Sequence, residues 1–396
     1  MRLLHVVPTY FPAVRYGGPI RSVHGLCAAL AARGHDVHVF TTNVDGLGDS
    51  AVPLCRPVDM DGVKVWYFPC RWLRRLYWSP PMRRILKQEV GGFDLVHLHS
   101  VFLWPTWAAA RAARRFGVPY VLSPRGMLVK NLIQQRKTLV KSLWIAVIER
   151  RNIERAAGIH LTAALELWEL EQFGFNLPAT CVIANGIDIL NSVTQEDRLS
   201  ADVALVLQKG PFVLYLGRLN WKKGLDKLIG AVATEPRLRL VIAGNDDERH
   251  CEQIRRWIAE CRVESRTSVL ARFVSGADKE ALLAGAGVFA LPSVSENFGN
   301  AALEAMAAGC PVLVTADVGL AATVEEGNAG IVARPGEFGP ALARLIDEPA
   351  LRETMGRNAR NIVAAKFGWP KIAAEMESYY AAVRRDVARP AGQVAS

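Results

Sequence analysis

The sequence has no apolar run of the roughly 18 to 20 residues that a membrane-spanning helix requires, which argues against an integral membrane protein. Residues 1–8 also lack the long apolar stretch of a secretory signal. The seven cysteines are scattered and include no CxxC pair, which argues against a zinc or redox centre and favours reduced thiols in the core. From these absences we expect a soluble, cytoplasmic protein.

Charge is distributed unevenly along the chain. Its 396 residues, 51% of them hydrophobic, are enough for two ordinary domains and exclude a disordered chain. Residues 1–200 hold 24 Lys and Arg against 15 Asp and Glu, whereas residues 201–396 hold 24 against 23. The net charge of +10 therefore belongs almost entirely to the first half. Because these charges are not gathered in a recognised nucleic-acid-binding module, we expect no nucleic acid partner.

One segment of the first half, residues 71–87, combines positive charge with apolar and aromatic residues and contains no acidic residue. Its members are Arg71, Arg74, Arg75, Arg83, Arg84 and Lys87, with Trp72, Leu73, Leu76, Tyr77 and Trp78 between them. This composition suits an anionic membrane surface or a phosphate-bearing partner. The alternative is a solvated basic loop with two aromatic residues tucked into the fold.

Short β-branched runs alternate with helical patterns in both halves, which predicts two doubly wound parallel sheets. The strands expected in the first half are Leu3–Val7, Asp36–Thr41, Val63–Phe68, Asp94–His99, Tyr120–Ser123, Gly158–Thr162 and Cys181–Ala184. Those expected in the second half are Phe212–Gly217, Leu238–Ala243, Thr267–Ala271, Val288–Leu291, Pro311–Val314 and Gly330–Ala333.

The alternation lapses between the halves, which places the domain boundary there. We expect an N-terminal domain at 1–188, a linker at 189–210, a C-terminal domain at 211–368, and a final helix and tail at 369–396 that pack back towards the first domain. In such sheets ligands bind outside the carboxyl ends of the strands, so the chemistry is expected in the residues that follow them.

Two cations follow the expected strand Phe212–Gly217. Arg218 and Lys223 lie in the connection from this strand to the next helix, whose amino end presents unpaired backbone N–H groups. Together they suit a clamp for a diphosphate. The alternative is that both are surface charges at a connection.

Two carboxylates follow the expected strand Val288–Leu291. Glu296 lies in the loop, and Glu304 lies about two turns into the next helix, whose amino end near Gly299-Asn300 presents backbone donors to an anion. Carboxylates accept hydrogen bonds from vicinal hydroxyls, so the pair suits a ribose and a hexose on either side of a phosphate site. The alternative is a capping Glu296 and a salt-bridged Glu304.

These segments together resemble the group-1 (family four) retaining glycosyltransferases of the GT-B fold. Gly217-Arg218, Lys223-Gly224, Pro292-Ser293, Phe298-Gly299, Glu304-Ala305-Met306 and Gly309-Cys310-Pro311-Val312 carry the resemblance, with Glu296 and Glu304 spaced as in the E-x7-E signature. Gly17-Gly18, Asp94–His99 and Asn185-Gly186-Ile187-Asp188 resemble further motifs of that family. The resemblance implies two Rossmann-like domains that face a central cleft, the first binding the acceptor and the second the nucleotide sugar.

The resemblance also implies roles for the second domain. Arg218 and Lys223 would neutralise the diphosphate of the departing nucleotide, so neither a metal nor a cofactor is expected. Glu304 would bind the ribose. Glu296 would bind the donor sugar, together with backbone amides at Phe298, Gly299 and Asn300. Arg218, Lys223 and Glu296 are therefore expected catalytic residues.

The first domain supplies the remaining expected donor contacts. Gly17 and Gly18 would let the first loop approach the donor phosphate and the acceptor without a side chain in the way. His97 and His99 point to the same side of their strand and could ligate a metal, but the sequence shows no third ligand cluster, so we expect no metal site. By resemblance His99, at the strand end, reaches the donor sugar near the reacting carbon and is the fourth expected catalytic residue.

One segment departs from the pattern of many relatives. After the expected strand Tyr120–Ser123 they carry a histidine before glycine, whereas this chain has Pro124-Arg125-Gly126, a form that resembles a subgroup making bacterial surface polysaccharides. We expect Arg125 to contact an acceptor phosphate or a sugar carboxylate. The alternative is that Arg125 holds the loop.

We therefore expect a metal-independent, retaining transfer of a hexose from a UDP- or GDP-sugar to a saccharide acceptor, lipid-linked, in bacterial exopolysaccharide, capsule or O-antigen synthesis. Apolar residues around Leu143 and Val147, among basic ones, predict either an amphipathic helix on the inner membrane surface or a core-facing helix. The alternative function is a GT-B-fold sugar-nucleotide epimerase without an acceptor. Asp59-Met60-Asp61 spells the D-x-D metal motif of another glycosyltransferase fold, but the following glycine and strand favour a hairpin turn.

Overall fold

The computed structural model of the protein describes residues 1–14, 17–135, 139–188, 199–246 and 249–388. They form two compact units. The first comprises Met1–Gly186 and Trp369–Ser396, and the second comprises Ile187–Gly368. Residues 189–198 of the expected linker and residues 389–396 of the expected tail lie outside the described residues.

The first unit is built around an eight-stranded sheet with helices on both faces. The strands of this unit are β1 (Arg2–Val6), β2 (Asp36–Thr42), β3 (Val44–Asp45), β4 (Gly48–Asp49), β5 (Pro57–Met60), β6 (Val63–Phe68), β7 (Leu95–His99), β8 (Tyr120–Ser123), β9 (Gly158–Leu161) and β10 (Thr180–Val182). Strands β3 and β4 form a separate two-stranded sheet, and the other eight form the main sheet. Its helices are α1 (Gly18–Ala32), α2 (Pro80–Glu89), α3 (Trp104–Arg115), α4 (Lys130–Gln135), α5 (Leu139–Trp144), α6 (Arg150–Glu154), α7 (Ala164–Glu171) and the C-terminal α16 (Trp369–Ala388).

The second unit is built around a six-stranded sheet in which every pair is parallel. Its strands are β11 (Val213–Leu216), β12 (Leu240–Ala243), β13 (Thr267–Leu270), β14 (Val288–Leu291), β15 (Val312–Val314) and β16 (Gly330–Val332). Its helices are α8 (Ala201–Leu207), α9 (Leu225–Thr234), α10 (Cys251–Glu260), α11 (Gly276–Gly285), α12 (Asn300–Ala307), α13 (Ala321–Glu326), α14 (Phe338–Asp347) and α15 (Pro349–Lys366).

Both sheets are doubly wound. The first has the order β10-β9-β8-β7-β1-β2-β6-β5, with β5 the antiparallel edge, and the second has the order β13-β12-β11-β14-β15-β16. The chain therefore reverses its direction of travel between β1 and β7 in the first sheet, and between β11 and β14 in the second. In open α/β sheets a ligand crevice opens at such a switch point, beyond the carboxyl ends of the two strands.

The central strands are covered on both faces. All five residues of β7 and all four of β11 and of β14 are buried. Coverage of both faces explains why β11 and β14 are continuous apolar runs, whereas β7 buries His97 and His99 among its apolar residues. On one face of the first sheet, Val23, Leu26 and Leu30 of α1 pack in one cluster with Met376 and Tyr380 of α16. The C-terminal helix is thus part of the core of the first unit.

All thirteen expected strands are present, with ends that differ by at most two residues, and the expected doubly wound α/β class is confirmed. Strands β3, β4 and β5 were not expected. The D-x-D segment lies at the hairpin of β5 and β6: Asp59 and Met60 end β5, Asp61 and Gly62 form the turn, and Met60 pairs with Val63. The segment expected as a linker includes α8, whose Val203 and Val206 are buried three residues apart as part of the second unit.

Candidate active site

The clamp of the second unit forms where β11 ends. After Leu216 the chain passes through Arg218, which is exposed, to a single 3₁₀ turn, Trp221–Lys223, whose start is capped by the Asn220 side chain. Gly224 ends this turn with a left-handed φ of 62°, and a Cβ there would collide with the carbonyl oxygen of Pro292. The loop after β11 therefore lies directly against the loop after β14, across the switch point.

This close approach brings together two of the three expected catalytic residues of the second unit, Lys223 and Glu296. Nζ of Lys223 donates to Oε2 of Glu296 in an ion pair, and the two side chains are only 16% and 21% exposed. The backbone of Glu296 is fixed on both sides, because its N–H donates to Asp317 and its carbonyl accepts from Gly319, each at 2.9 Å. The side chains of a cation and a carboxylate thus meet at the carboxyl edge of the sheet.

The second carboxylate of the E-x7-E pair has its own lysine. Helix α12 begins at Asn300, after Gly299, and follows the buried Phe298. Within it, Oε1 of Glu304 accepts from Nζ of Lys279 in α11 at 2.9 Å, with side-chain exposures of 25% and 16%. Glu304 is therefore salt-bridged, as the alternative interpretation of this residue expected. The sequence did not indicate Lys279, because its contact with Glu304 joins two helices across 25 residues.

In the first unit, the switch point between β1 and β7 holds buried histidines. His5 of β1 lies opposite His97 in the parallel register, and His99 ends β7. Nδ1 of His5 and Nε2 of His99 are 3.0 Å apart, and Nη2 of Arg125, beyond the end of β8, lies 3.2 Å from Nδ1 of His99. His99 is 2% exposed, and His5 and His97 are fully buried.

A second hydrogen-bonded chain runs beside the first. Nδ1 of His97 is 2.6 Å from the Tyr380 hydroxyl of α16, and its Nε2 is 2.7 Å from Oγ of Ser123. Oγ of Ser123 is in turn 2.8 Å from Nδ1 of His160, whose Nε2 donates to the Ile183 carbonyl at 2.9 Å. The C-terminal helix is thus tied to the centre of the first sheet.

Burial keeps these imidazoles neutral. Burial first, and the charge of Arg125 second, lower the pKa of His5 and that of His160 to about 3. Burial and then Arg125 also lower the pKa of His99 well below its ordinary value. The pKa of His97 is lowered well below its ordinary value by burial and then by the neighbouring His99.

The expectation of no third ligand near His97 and His99 was wrong in geometry, because ring nitrogens of His5, His97 and His99 lie within 4.8 Å of one another. His5 is 94 residues from His99, and only the adjacency of β1 and β7 at a switch point could have signalled it. A guanidinium 3.2 Å from His99 repels a cation, and both nitrogens of His97 already have hydrogen-bond partners. The donor set therefore favours a hydrogen-bonded cluster, and the absence of a metal stays a prediction.

The loops at this edge hold unusual backbone. Ser100, Phe102 and Arg125 have positive φ angles of 74°, 65° and 57°, and such residues cluster at binding sites. Gly17, with φ of 80°, precedes α1, which begins at Gly18 in the loop after β1. The conformation of Gly17 is thus a second reason for a glycine there, beside the close approach of a ligand.

Arg125 makes two contacts through its guanidinium group. Nη1 donates to Oδ1 of Asn185 at 2.8 Å, and Nη2 contacts His99. These contacts agree with the alternative that Arg125 holds the loops of this edge. Its contact with an acceptor stays a prediction.

The fold and the two switch-point sites define a GT-B architecture, two doubly wound parallel-sheet domains in one chain. The family model "Glycosyl transferase 4-like domain" matches residues 17–186, and the model "Glycosyl transferases group 1" matches residues 199–362. A D-inositol 3-phosphate glycosyltransferase of Pseudarthrobacter chlorophenolicus is 30% identical over 76% of this chain and 74% of its own length. The chain belongs to the group-1 glycosyltransferases.

Solved structures share the fold over almost the whole chain. Sucrose-phosphate synthase from Thermosynechococcus elongatus has a TM-score of 0.76 at 22% identity and covers 98% of this chain and 100% of its own. Anabaena HepE, solved in complex with UDP-glucose, has a TM-score of 0.72 at 21% identity and covers 96% and 100%. At these identities the likeness shows the GT-B fold.

Proposed function

We propose that this enzyme is a retaining hexosyltransferase that takes a hexose from a UDP- or GDP-sugar and transfers it to a saccharide acceptor carried on a lipid. The observation that carries the proposal is the Lys223–Glu296 pair at the β11/β14 switch point, beside the amino end of α12. The similarity to HepE, which was solved with UDP-glucose, supports the choice of donor class.

The ion pairs of the second unit suit exchange with a ligand. A lysine ammonium has three N–H donors and a carboxylate only accepts, so each partner has a complementary group on a nucleotide sugar. Lys223, with Arg218, moves to the diphosphate oxygens, where negative charge develops as the nucleotide leaves. Glu296 then accepts from hydroxyls of the hexose, and Glu304 accepts from the ribose.

We further propose that the donor is attacked on the face that the nucleotide leaves. The bond from the anomeric carbon to the diphosphate oxygen breaks, and the departing oxygen takes the proton of the acceptor hydroxyl. The acceptor oxygen bonds to the anomeric carbon on the same face, so the configuration is retained. This route needs neither a carboxylate nucleophile nor a metal.

The lipid-linked acceptor is supported by the surface of the first unit. Trp72 and Leu73 are 73% and 62% exposed beside the basic side chains of segment 71–87, and Leu143 and Val147 are 65% and 61% exposed on the stretch α5 to α6. Exposed apolar side chains among cations suit an anionic membrane surface. We propose that the enzyme works at the cytoplasmic face of a bacterial inner membrane, in surface-polysaccharide synthesis. Every helix among the described residues is too short or too polar to cross a bilayer.

The first test is thermal unfolding with UDP, GDP and ADP in turn, for the wild type and Glu304→Ala. A ligand at 100 times its dissociation constant stabilises the native state by about 2.7 kcal/mol. We expect UDP or GDP to raise the melting temperature of the wild type and of the control Glu325→Ala, whose carboxylate is exposed on α13, but not of Glu304→Ala. Equal shifts in wild type and Glu304→Ala would remove the ribose assignment.

The second test separates transfer from epimerisation. The enzyme is incubated with hexose derivatives of the nucleotide that stabilises it in the first test, with and without lipid-linked saccharides. The products are followed by proton NMR. A new glycosidic bond with the anomeric configuration of the donor is the expected result. Epimerised nucleotide sugar without an acceptor would instead support the isomerase alternative.

A further inference from the structure

The polar atoms of His99 are all in use within the first unit. Its Nδ1 faces Nη2 of Arg125 at 3.2 Å, its Nε2 faces Nδ1 of His5 at 3.0 Å, and its carbonyl oxygen accepts from the Thr106 hydroxyl at 3.3 Å. The side chain that the resemblance places near the reacting carbon therefore has no spare ring nitrogen in this arrangement.

The direction of these hydrogen bonds follows from the chemistry of Arg125. A guanidinium has only N–H donors, so Nδ1 of His99 must be the acceptor. A neutral imidazole then carries its proton on Nε2, which donates to Nδ1 of His5. His5 in turn carries its proton on its own Nε2, a buried atom without a hydrogen-bond partner. One always-charged side chain thus sets the tautomer of two histidines.

The surroundings of His99 also oppose a second proton on its ring. The groups that face it are Arg125, His5, His97 and, further along the cluster, His160. The carboxylate whose charge acts on the guanidinium is that of Glu166, whose two oxygens already accept from Gly126 and Thr162 at 2.7 to 3.2 Å. An imidazolium at His99 would lie against a cation and without a counter-ion of its own.

We propose that Arg125 and His5 are positioning residues that hold His99 as a neutral imidazole, protonated at Nε2, throughout the transfer reaction. The inference rests on the proposed function in one respect, the placement of His99 beside the anomeric carbon. The transition state of glycosyl transfer carries positive charge on the sugar ring, and a neutral ring does not repel it as an imidazolium would. A neutral His99 also leaves the departing diphosphate as the base for the acceptor hydroxyl.

The tautomer is measured directly by long-range ¹H–¹⁵N NMR of the labelled, ligand-free protein between pH 8 and pH 5, with His99 assigned from a His99→Gln variant. Three substitutions separate hydrogen bond from charge. Arg125→Met removes both, Arg125→Gln keeps a donor without charge, and Arg125→Lys keeps both. The matched control is Arg114→Met, whose guanidinium donates to Asn152 and Tyr120 at 3.2 Å in the same unit.

In the wild type, in Arg125→Lys and in Arg114→Met, we expect Nε2-protonated, neutral His99 across this range. In Arg125→Met we expect mixed tautomers, because Nδ1 of His99 loses its hydrogen-bond donor. Burial still lowers the pKa of His99 in this variant, so the loss of the Arg125 charge moves the acid limb of the turnover profile to a higher pH than in the wild type. In Arg125→Gln the Nε2 tautomer stays, and the acid limb moves in the same direction. A wild-type His99 protonated at Nδ1 or charged at pH 7, or an Arg125→Met protein with the wild-type tautomer and pH profile, would overturn the proposal.

The NMR needs no substrate, so it is independent of the proposed function. If His99 is protonated at Nε2 but the protein has no transferase activity, the proposed function is wrong and the role of Arg125 in setting the tautomer stands. Should Arg125→Met not fold, the wild-type titration and the Arg125→Lys variant still decide, because a wild-type His99 that titrates near neutral pH contradicts the inference.

Discussion

The carboxyl edges of the two sheets hold their polar groups in opposite ways. In the first unit, buried neutral imidazoles are joined by hydrogen bonds, with one guanidinium, that of Arg125, at the end of the chain. In the second unit, two lysine–glutamate ion pairs lie at the edge with exposures of 16% to 25%. Buried hydrogen bonds fix geometry, because breaking one leaves an unsatisfied group, whereas partly exposed ion pairs can exchange partners with a charged ligand. We therefore expect the side chains at the first edge to keep their positions and those at the second edge to exchange partners when a charged ligand binds.

Mild acid should have the largest effect, because it destabilises the buried histidines of the first unit. The pKa of His5 and that of His160 are about 3 in the folded protein, against 6.5 for an ordinary histidine. Between these values the unfolded chain binds more protons, so stability is complete above about 6.5 and is lost as the pH falls towards 3. Each of the two histidines contributes about 1.4 kcal/mol per pH unit in that window.

We therefore expect the first unit to lose hydrogen-exchange protection before the second between pH 6 and pH 4, in rates corrected for intrinsic exchange. The second unit contains one histidine, His250, against seven in the first. His160→Gln should weaken the pH dependence and His250→Gln should leave it unchanged. Earlier loss of protection in the second unit would contradict the prediction.

Removing the cation of the second edge should have the next largest effect. Lys223→Met takes away a charge that would meet the developing diphosphate, so we expect kcat to fall by about 10² to 10³. The melting temperature should change little, because the ion pair is partly exposed. Lys222→Met is the matched control, since Lys222 is the adjacent lysine and its ammonium lies over the Trp221 ring. Transfer activity above a tenth of wild type would place the clamp elsewhere.

The sequence predicted the second edge better than the first, for a physical reason. Lys223 and Glu296 lie in the connections that follow apolar strands, and Glu304 lies in the helix after the second connection, so all three positions are local information. The doubly wound class followed from the alternation of strands and helices, whereas the strand order, and with it the two switch points, came only from the structure.

The contacts that the sequence did not predict join residues far apart in the chain. Tyr380 meets His97 across 283 residues, and His5 meets His99 across 94. Lys279 looks like an ordinary helix-surface lysine until α11 is placed beside α12. Such pairs depend on the packing of helices against sheets, which no local spacing specifies. The helix α8 was missed because its two buried valines give too short a periodic signal.

A smaller effect is expected from Lys279, the ion-pair partner of Glu304 at the carboxyl edge of the second sheet. Lys279→Met leaves Glu304 without the group that orients it, so we expect the KM for the nucleotide sugar to rise about three- to tenfold with kcat nearly unchanged. Lys279→Arg should restore the wild-type KM, because it returns a cation to Glu304. Lys366→Met serves as the control, because Lys366 is an exposed lysine of the same unit, at the end of α15. A change in kcat without a change in KM would show that Lys279 acts on the reacting groups instead.

The surfaces of the two units give the smallest expected difference. The double variant Leu143→Glu and Val147→Glu places two carboxylates on the exposed apolar stretch of the first unit, and we expect binding to phosphatidylglycerol vesicles to fall about three- to tenfold. Leu205→Glu is the control, since Leu205 is 54% exposed on α8 of the second unit. Binding of the wild type should weaken with salt, because the cations of segment 71–87 are screened. An equal loss of binding in Leu205→Glu, or equal wild-type binding to uncharged phosphatidylcholine vesicles, would show that this surface does not bind anionic membranes specifically. The proposal of a lipid-linked acceptor would then have no structural support.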